Sequence, residues 1–201
     1  MIHRYLFIPL LLIAGMSHAE TLVLSADAML DVKNGRLVQD VVVLVEEGKI
    51  RGAGPRGSVA VPEDAETIDL AGHTLLPGLI DMHVHLTSSS EYHGYRQLAL
   101  SDERRAIHGV VNAQRTLLAG FTTVRNVGAS SYGDVALRDA IAAGEIPGPR
   151  VFAAGPPIGI TGGHCGDINL LAPEFDLTGE NVADGPWAVR SAVRRNIKYG
   201  V

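Results

Sequence analysis

The sequence has 201 residues, 46% hydrophobic and 19% charged, with 23 Gly and 10 Pro. That is the composition of a loop-rich globular chain and excludes a disordered tail or a coiled coil. The net charge of −5 comes without a long charged block or a basic patch interleaved with aromatics, so no nucleic-acid partner is expected, and the single cysteine, Cys165, excludes an internal disulfide framework or a Cys-rich zinc finger.

Residues 1–4 carry one basic side chain, residues 5–16 (YLFIPLLLIAGM) form an apolar run, and Ser17-His18-Ala19 places small residues at the −3 and −1 positions of a cleavage site. This reads as a secretory signal peptide over 1–19 with cleavage before Glu20. The alternative is a retained membrane anchor, but the run falls short of the roughly 20 residues that span a bilayer. The mature chain is therefore expected in the periplasm or outside the cell, with no membrane association after signal removal. A homo-oligomer is compatible with the sequence.

Residues 20–73 read as a small β-sheet unit. Short strands are expected at 21–24, 37–45, 49–50 and 66–69, with turns at Asn34-Gly35, Glu47-Gly48 and Gly54-Pro55. From residue 74 the pattern becomes strand then helix, repeated. Strands are expected at 74–82, 121–127 and 150–154, and helices at about 102–118, 134–143 and 186–199. Ser101-Asp102-Glu103 and Asp184-Gly185-Pro186 are helix-start signals, and Gly120 and Gly144 stand where helices end. Trp187 and the spaced Leu and Val residues of the helices read as core. Alternation of this kind implies an α/β fold with a parallel sheet, either doubly wound or a (β/α)8 barrel. Three βα units are visible, whereas eight need about 250 residues. The chain thus reads as the front portion of a longer protein. The other reading is a complete three-unit protein, which leaves sheet edges poorly covered.

The chemistry concentrates in Pro77-Gly78-Leu79-Ile80-Asp81-Met82-His83-Val84-His85. Side chains alternate along a strand, so His83 and His85 point to one face about 6.5 Å apart and their distal nitrogens can converge on one ion at about 2.1 Å. Asp81 shares that face and could orient a ligand histidine, while Met82 and Val84 face the packing helices. The competing reading is two unrelated surface histidines on a loop.

The string LPGLIDMHVHL resembles the signature of the amidohydrolase superfamily, metal-dependent hydrolases on a (β/α)8 barrel. FTTVRNVG is similar to that superfamily's second barrel strand, usually written GVTTVRD, and the residues before Pro77 resemble part of its N-terminal β-sandwich. ITGGHCGD, 160–167, resembles the loop after the third strand in the branch of imidazolonepropionase-like enzymes and dipeptidases cleaving before proline, arginine or lysine. The resemblance implies that His83 and His85 bind a divalent metal, zinc, as one or two ions. It implies that His164 contacts a substrate carbonyl or carboxylate; the other reading is a packed loop histidine. The bridging lysine, two further histidines and the catalytic aspartate belong to later strands, so no catalytic residue is expected in this chain, and Lys198 lies in a helix before the relevant strand. The implied activity is hydrolysis of C–N amide or peptide bonds by a metal-activated water, with a dipeptide or other small molecule as substrate. The alternatives are a mononuclear deaminase or cyclic amidase of the same superfamily, or an inactive fragment.

Among the other candidates, Asp167 either holds its loop or contacts a substrate amine. Cys165 has no identifiable base partner and reads as structural. His73 reads as a turn residue, His93 as a solvated loop residue and His108 as a helix-surface residue. Arg125 is expected to pair with a carboxylate inside the barrel.

Overall fold

The computed structural model describes residues 21–92, 94–165, 172, 174, 175 and 178–201. The expected signal peptide 1–19, His93 and Asp167 lie outside the described residues. The chain divides into two compact units after Pro77.

In the first unit, strands β1 (Thr21–Asp31), β2 (Arg36–Glu46), β3 (Lys49–Pro55) and β4 (Glu66–Leu75) form one sheet in the order β3-β2-β1-β4. Three of the strands meander antiparallel, and β4 returns parallel to β1. Glu47 and Gly48 both take positive φ, 51° and 69°, as a two-residue hairpin turn needs when its twist matches the flanking strands. Gly54-Pro55 is not a turn but the end of β3, with Val41 opposite Pro55. An edge strand tolerates the missing N–H, and a Cβ on Gly52 would lie 2.9 Å from Val59 Cγ1, so the glycine lets residues 58–59 pack over the strand. Val23, Val42 and Leu44 form the core here, with Val59 and Ala65 against them.

The second unit is α/β. Strands β5 (Leu79–Val84), β6 (Phe121–Asn126) and β7 (Arg150–Ala153) are parallel and adjacent, in the order β5-β6-β7. Helices α1 (Asp102–Leu118), α2 (Gly133–Ala142) and α3 (Pro186–Lys198) follow them in turn. Ser101 caps α1 by accepting the Arg104 N–H at 3.3 Å, and Asp102 and Glu103 sit in its first turn. The core between sheet and helices is Leu86, Ala113, Val124, Leu137 and Val151, with Val124 and Val151 opposite each other on β6 and β7.

The continuous strand expected over 74–82 is broken. β4 stops at Leu75 and β5 starts at Leu79, in the other unit. Pro77 has no N–H to donate to a ladder. A Cβ on Gly78 would fall 2.1 Å from Thr122 Oγ1, so at this point the backbone lies directly against β6, and the Leu79 N–H is claimed by the Gly120 carbonyl at 2.8 Å. Trp187 is also not core: it is 76% exposed, with the Arg190 guanidinium 5.8 Å from its ring centre. Helix α3 buries only Ala192 and Asn196. Among the described residues no helix is long and apolar enough to cross a membrane.

Candidate metal centre

The end of β5 delivers the two histidines. Val84 and Leu86 pack into the helix-side core, which turns the alternate residues His83 and His85 to the opposite face. Their ring centres are 5.5 Å apart with an interplanar angle of 69°. Two imidazoles each bound through one nitrogen to a tetrahedral ion have ring centres about 5 Å apart, so the observed pair has the spacing of a shared-ion site.

The strand itself is irregular at this point. The β5–β6 register shifts between Asp81 and Val84, and Arg125 donates its Nε–H to the Met82 carbonyl at 2.7 Å, where the ladder is interrupted. Arg125 therefore serves a backbone carbonyl rather than the expected carboxylate. Asp81 also departs from expectation. Its Oδ1 accepts the backbone N–H of His83 at 3.0 Å, so it holds the strand and not an imidazole. Met82 is 53% exposed rather than buried under the helices.

His85 has a partner on its proximal nitrogen. Nδ1 lies 3.3 Å from the Gly128 carbonyl. A carbonyl only accepts, so this contact is a hydrogen bond in the tautomer that carries its proton on Nδ1 and leaves the lone pair on Nε2, the form in which a histidine binds a metal. Among the described residues no group of three His, Cys, Asp or Glu side chains surrounds a common point. The pair thus fits a divalent metal as two of the three or four ligands such a site uses.

Behind the histidines lies a buried polar network that ties the three strand ends together. Asn126 and Asp134 are both fully buried. Asn126 Oδ1 accepts the Leu86 N–H at 2.7 Å, and its Nδ2 donates to the Gly128 carbonyl and to Asp134 Oδ2, both at 3.1 Å. The Asp134 carboxylate further accepts the N–H groups of Ala154, Gly155 and Val135, at 3.1, 3.0 and 3.0 Å. Asp134 stands in the first turn of α2, where the helix dipole favours a negative charge. These donors compensate a carboxylate that has no ion-pair partner among the described residues.

His164 is exposed on the turn after β7. Because the three strands are parallel, this turn and the His83–His85 pair lie at the same, C-terminal edge of the sheet. Among the described residues His164 makes no ring contact with either histidine. Its loop is held from outside: Gly159 pairs in parallel with Val182, and Thr161 donates both its N–H, at 3.1 Å, and its hydroxyl to Asp184. A Cβ on Gly159 would meet the Cys165 carbonyl at 2.3 Å, so the loop folds back on its own backbone.

The Thr161 hydroxyl, and then the Thr161 N–H, hold the Asp184 carboxyl below its usual 3.8. A depressed carboxylate pKa stabilises the folded loop at pH values above the unfolded pKa near 3.9, and this contribution is lost as the pH falls through the lower folded value. Thr161→Val is expected to move the Asp184 carboxyl midpoint upward, followed by carbon NMR, and to loosen the loop above about pH 5, where the hydroxyl's contribution is fully present, with the difference from the parent vanishing at low pH. An unmoved midpoint would remove the hydroxyl as the cause.

The sequence profile of the amidohydrolase family matches residues 74–201. The chain belongs to the amidohydrolase family. A crystal structure of an Xaa-Pro dipeptidase with methionine bound in its active site is similar to this amidohydrolase chain, with a TM-score of 0.75 and 32% identity, over 90% of this chain and 45% of that one. The dihydroorotase of Mycobacterium tuberculosis is 50% identical over 46 residues, 23% of this chain and 10% of that enzyme. The imidazolonepropionase of Idiomarina loihiensis is 33% identical over 100 residues, 46% of this chain and 24% of that enzyme. The chain thus spans less than half the length of these relatives. Its three βα units are those of the amidohydrolase barrel fold, as the sequence led us to expect.

Two residues of this amidohydrolase site escaped the sequence reading. Asn126 occupies the position at which the superfamily's second-strand pattern carries aspartate, and Asp134 reads in isolation as an ordinary helix-start residue. The available signal was an amide two residues after Val124, on the same, buried face of the strand. The remaining histidines are peripheral. His73 lies exposed on β4 with Nδ1 3.0 Å from the Ala71 carbonyl, and His108, on α1, leans on Tyr92 with ring centres 5.6 Å apart.

Proposed function

We propose that this chain is part of a metal-dependent hydrolase of C–N amide bonds, dipeptidase-like in substrate, in which His83 and His85 are ligands to a divalent metal, zinc, and His164 contacts the substrate. The observation that carries the reading is the His83–His85 pair, 5.5 Å apart between ring centres at the C-terminal edge of a parallel sheet. A divalent ion held there supplies an acidified water and polarises the scissile carbonyl. The chain's own contribution is orientation. The Gly128 carbonyl presents Nε2 of His85 to the site, and Asp81 holds the His83 backbone. His164 offers an imidazole N–H to a substrate carbonyl or carboxylate, on a loop pinned by Thr161 and Asp184. No residue described here is assigned the proton transfer. The same proposal has the mature protein in the periplasm or outside the cell, on the strength of residues 1–19 alone.

The dipeptide substrate is favoured by the likeness to the Xaa-Pro dipeptidase over 90% of this chain. The second reading, a mononuclear cyclic amidase or deaminase, has the 46-residue dihydroorotase match in its favour. The test is hydrolysis by the full-length protein of a panel of Xaa-Pro, Xaa-Arg and Xaa-Lys dipeptides alongside cyclic amides, before and after chelation. Chelator-sensitive dipeptide cleavage restored by zinc is expected. Turnover of cyclic amides alone would move the assignment to the second reading, and metal-independent turnover would overturn both.

A further inference from the structure

We propose that Asn126, held by Asp134, is a positioning residue for His85: by orienting the Gly128 carbonyl it fixes which nitrogen of His85 is offered to a metal. This inference rests on the reading of His85 as a metal ligand, but the arrangement that motivates it stands in the metal-free protein.

The side chain of Asn126 is fully buried and its amide can be oriented in only one way. The Leu86 N–H demands an oxygen, and the Asp134 carboxylate demands an NH2 group. That orientation aims the second N–H of the amide at the Gly128 carbonyl. The carbonyl has two lone pairs, and its other donor is His85 Nδ1. The Gly128 backbone has φ +152°, a conformation that side chains rarely adopt, and a Cβ there would touch His85 Cε1 at 3.7 Å and the Pro157 ring at 3.6 Å. A carbonyl on so permissive a residue turns easily unless something holds it. Asn126 supplies that hold, and Asp134 holds Asn126 with an oxygen that also binds the N–H groups of Ala154 and Gly155 after β7. The orientation of a ring just past the end of β5 is thereby set from β6, which carries Asn126, and α2, which carries Asp134.

The chemistry explains why the residue is asparagine. An aspartate at 126 would set two carboxylates about 3 Å apart in a dry interior, and would have no N–H for Gly128. A hydroxyl residue would keep an acceptor for Leu86 but has one proton. The Asp134 carboxylate, being the stronger acceptor, takes that proton and leaves the Gly128 carbonyl without its donor.

The full-length protein with Asn126→Thr tests this, with Asp134→Asn as a control that perturbs the network while keeping the Asn126-to-Gly128 bond. In the metal-free parent, ring nitrogen NMR is expected to show neutral His85 as the Nδ1–H form. In Asn126→Thr a mixture of the two forms is expected, and zinc dissociation constants should rise roughly ten- to a hundredfold. Asp134→Asn should lower the melting temperature yet keep the Nδ1–H form, with zinc affinity within about threefold of the parent. A parent His85 protonated on Nε2 overturns the proposal, and it does so even where Asn126→Thr does not fold. An Asn126→Thr protein with parental tautomer and zinc affinity overturns it too. Should His83→Ala/His85→Ala leave zinc binding unchanged, the ligand assignment fails instead, and the tautomer measurement still decides the positioning role.

Discussion

Replacing His83 and His85 together by alanine in the full-length protein is expected to remove at least one equivalent of bound divalent ion and to bring hydrolysis to background. The two imidazoles stand on one face at the end of β5, and the ring of His85 is held through Nδ1 by Gly128. A catalytic site with three protein ligands does not survive the loss of two, because the remaining ligand and water cannot replace their donors. Both rings are exposed, so their removal opens no cavity in the core of Leu86, Val124 and Val151. The expected melting temperature of the metal-free variant is therefore close to that of the metal-free parent. Metal stoichiometry by mass spectrometry, with thermal melting beside it, separates loss of a site from loss of the fold. An unchanged metal content would refute the assignment.

Asp134→Ala is expected to destabilise the protein by about 3–5 kcal/mol. The carboxylate is fully buried and accepts four N–H groups, from Asn126, Val135, Ala154 and Gly155. Each donor left without an acceptor in a dry interior costs about 1–3 kcal/mol, and water entering the new space recovers part of that. In a chain of this size about 3–5 kcal/mol corresponds to a fall in melting temperature of roughly 10 °C or more. Asp139→Ala is the comparison. Asp139 is 63% exposed and paired with Arg138 at 2.8 Å, and an exposed pair of that kind contributes under about 1 kcal/mol. Urea melts of the two variants should differ several-fold in their shift of midpoint. Equal shifts would show that the buried network does not bear on stability.

Much of the fold was legible because its signals are local. The bounds of α1 follow from Ser101-Asp102-Glu103 at one end and Gly120 just past the other, all within a few residues of the turns they control. The segment FTTVRN at 121–126, rich in β-branched residues, is β6, and the glycine before it positions the strand without reference to anything distant. The His-x-His spacing predicted a same-face pair, and alternation around Val84 and Leu86 delivers it. The superfamily signature around those histidines agrees with the family profile that matches residues 74–201.

What escaped depends on partners far along the chain. The break between Leu75 and Leu79 needs Thr122 lying against Gly78, some forty positions away, and apolar patterning alone reads straight through it. Arg125 was expected to seek a carboxylate, but the register shift in β5 left the Met82 carbonyl without a ladder donor, and the nearer acceptor prevailed. Trp187 resembles core by residue type, yet helix α3 turns only Ala192 and Asn196 inward. Residue types and short spacings determined the succession of strands and helices and put two imidazoles on one face. The tertiary structure alone brought the Gly128 carbonyl to Nδ1 of His85, because Gly128, Asn126 and Asp134 meet only when β5, β6 and α2 pack together, and each hydrogen bond of such a network is specified by all its partners at once.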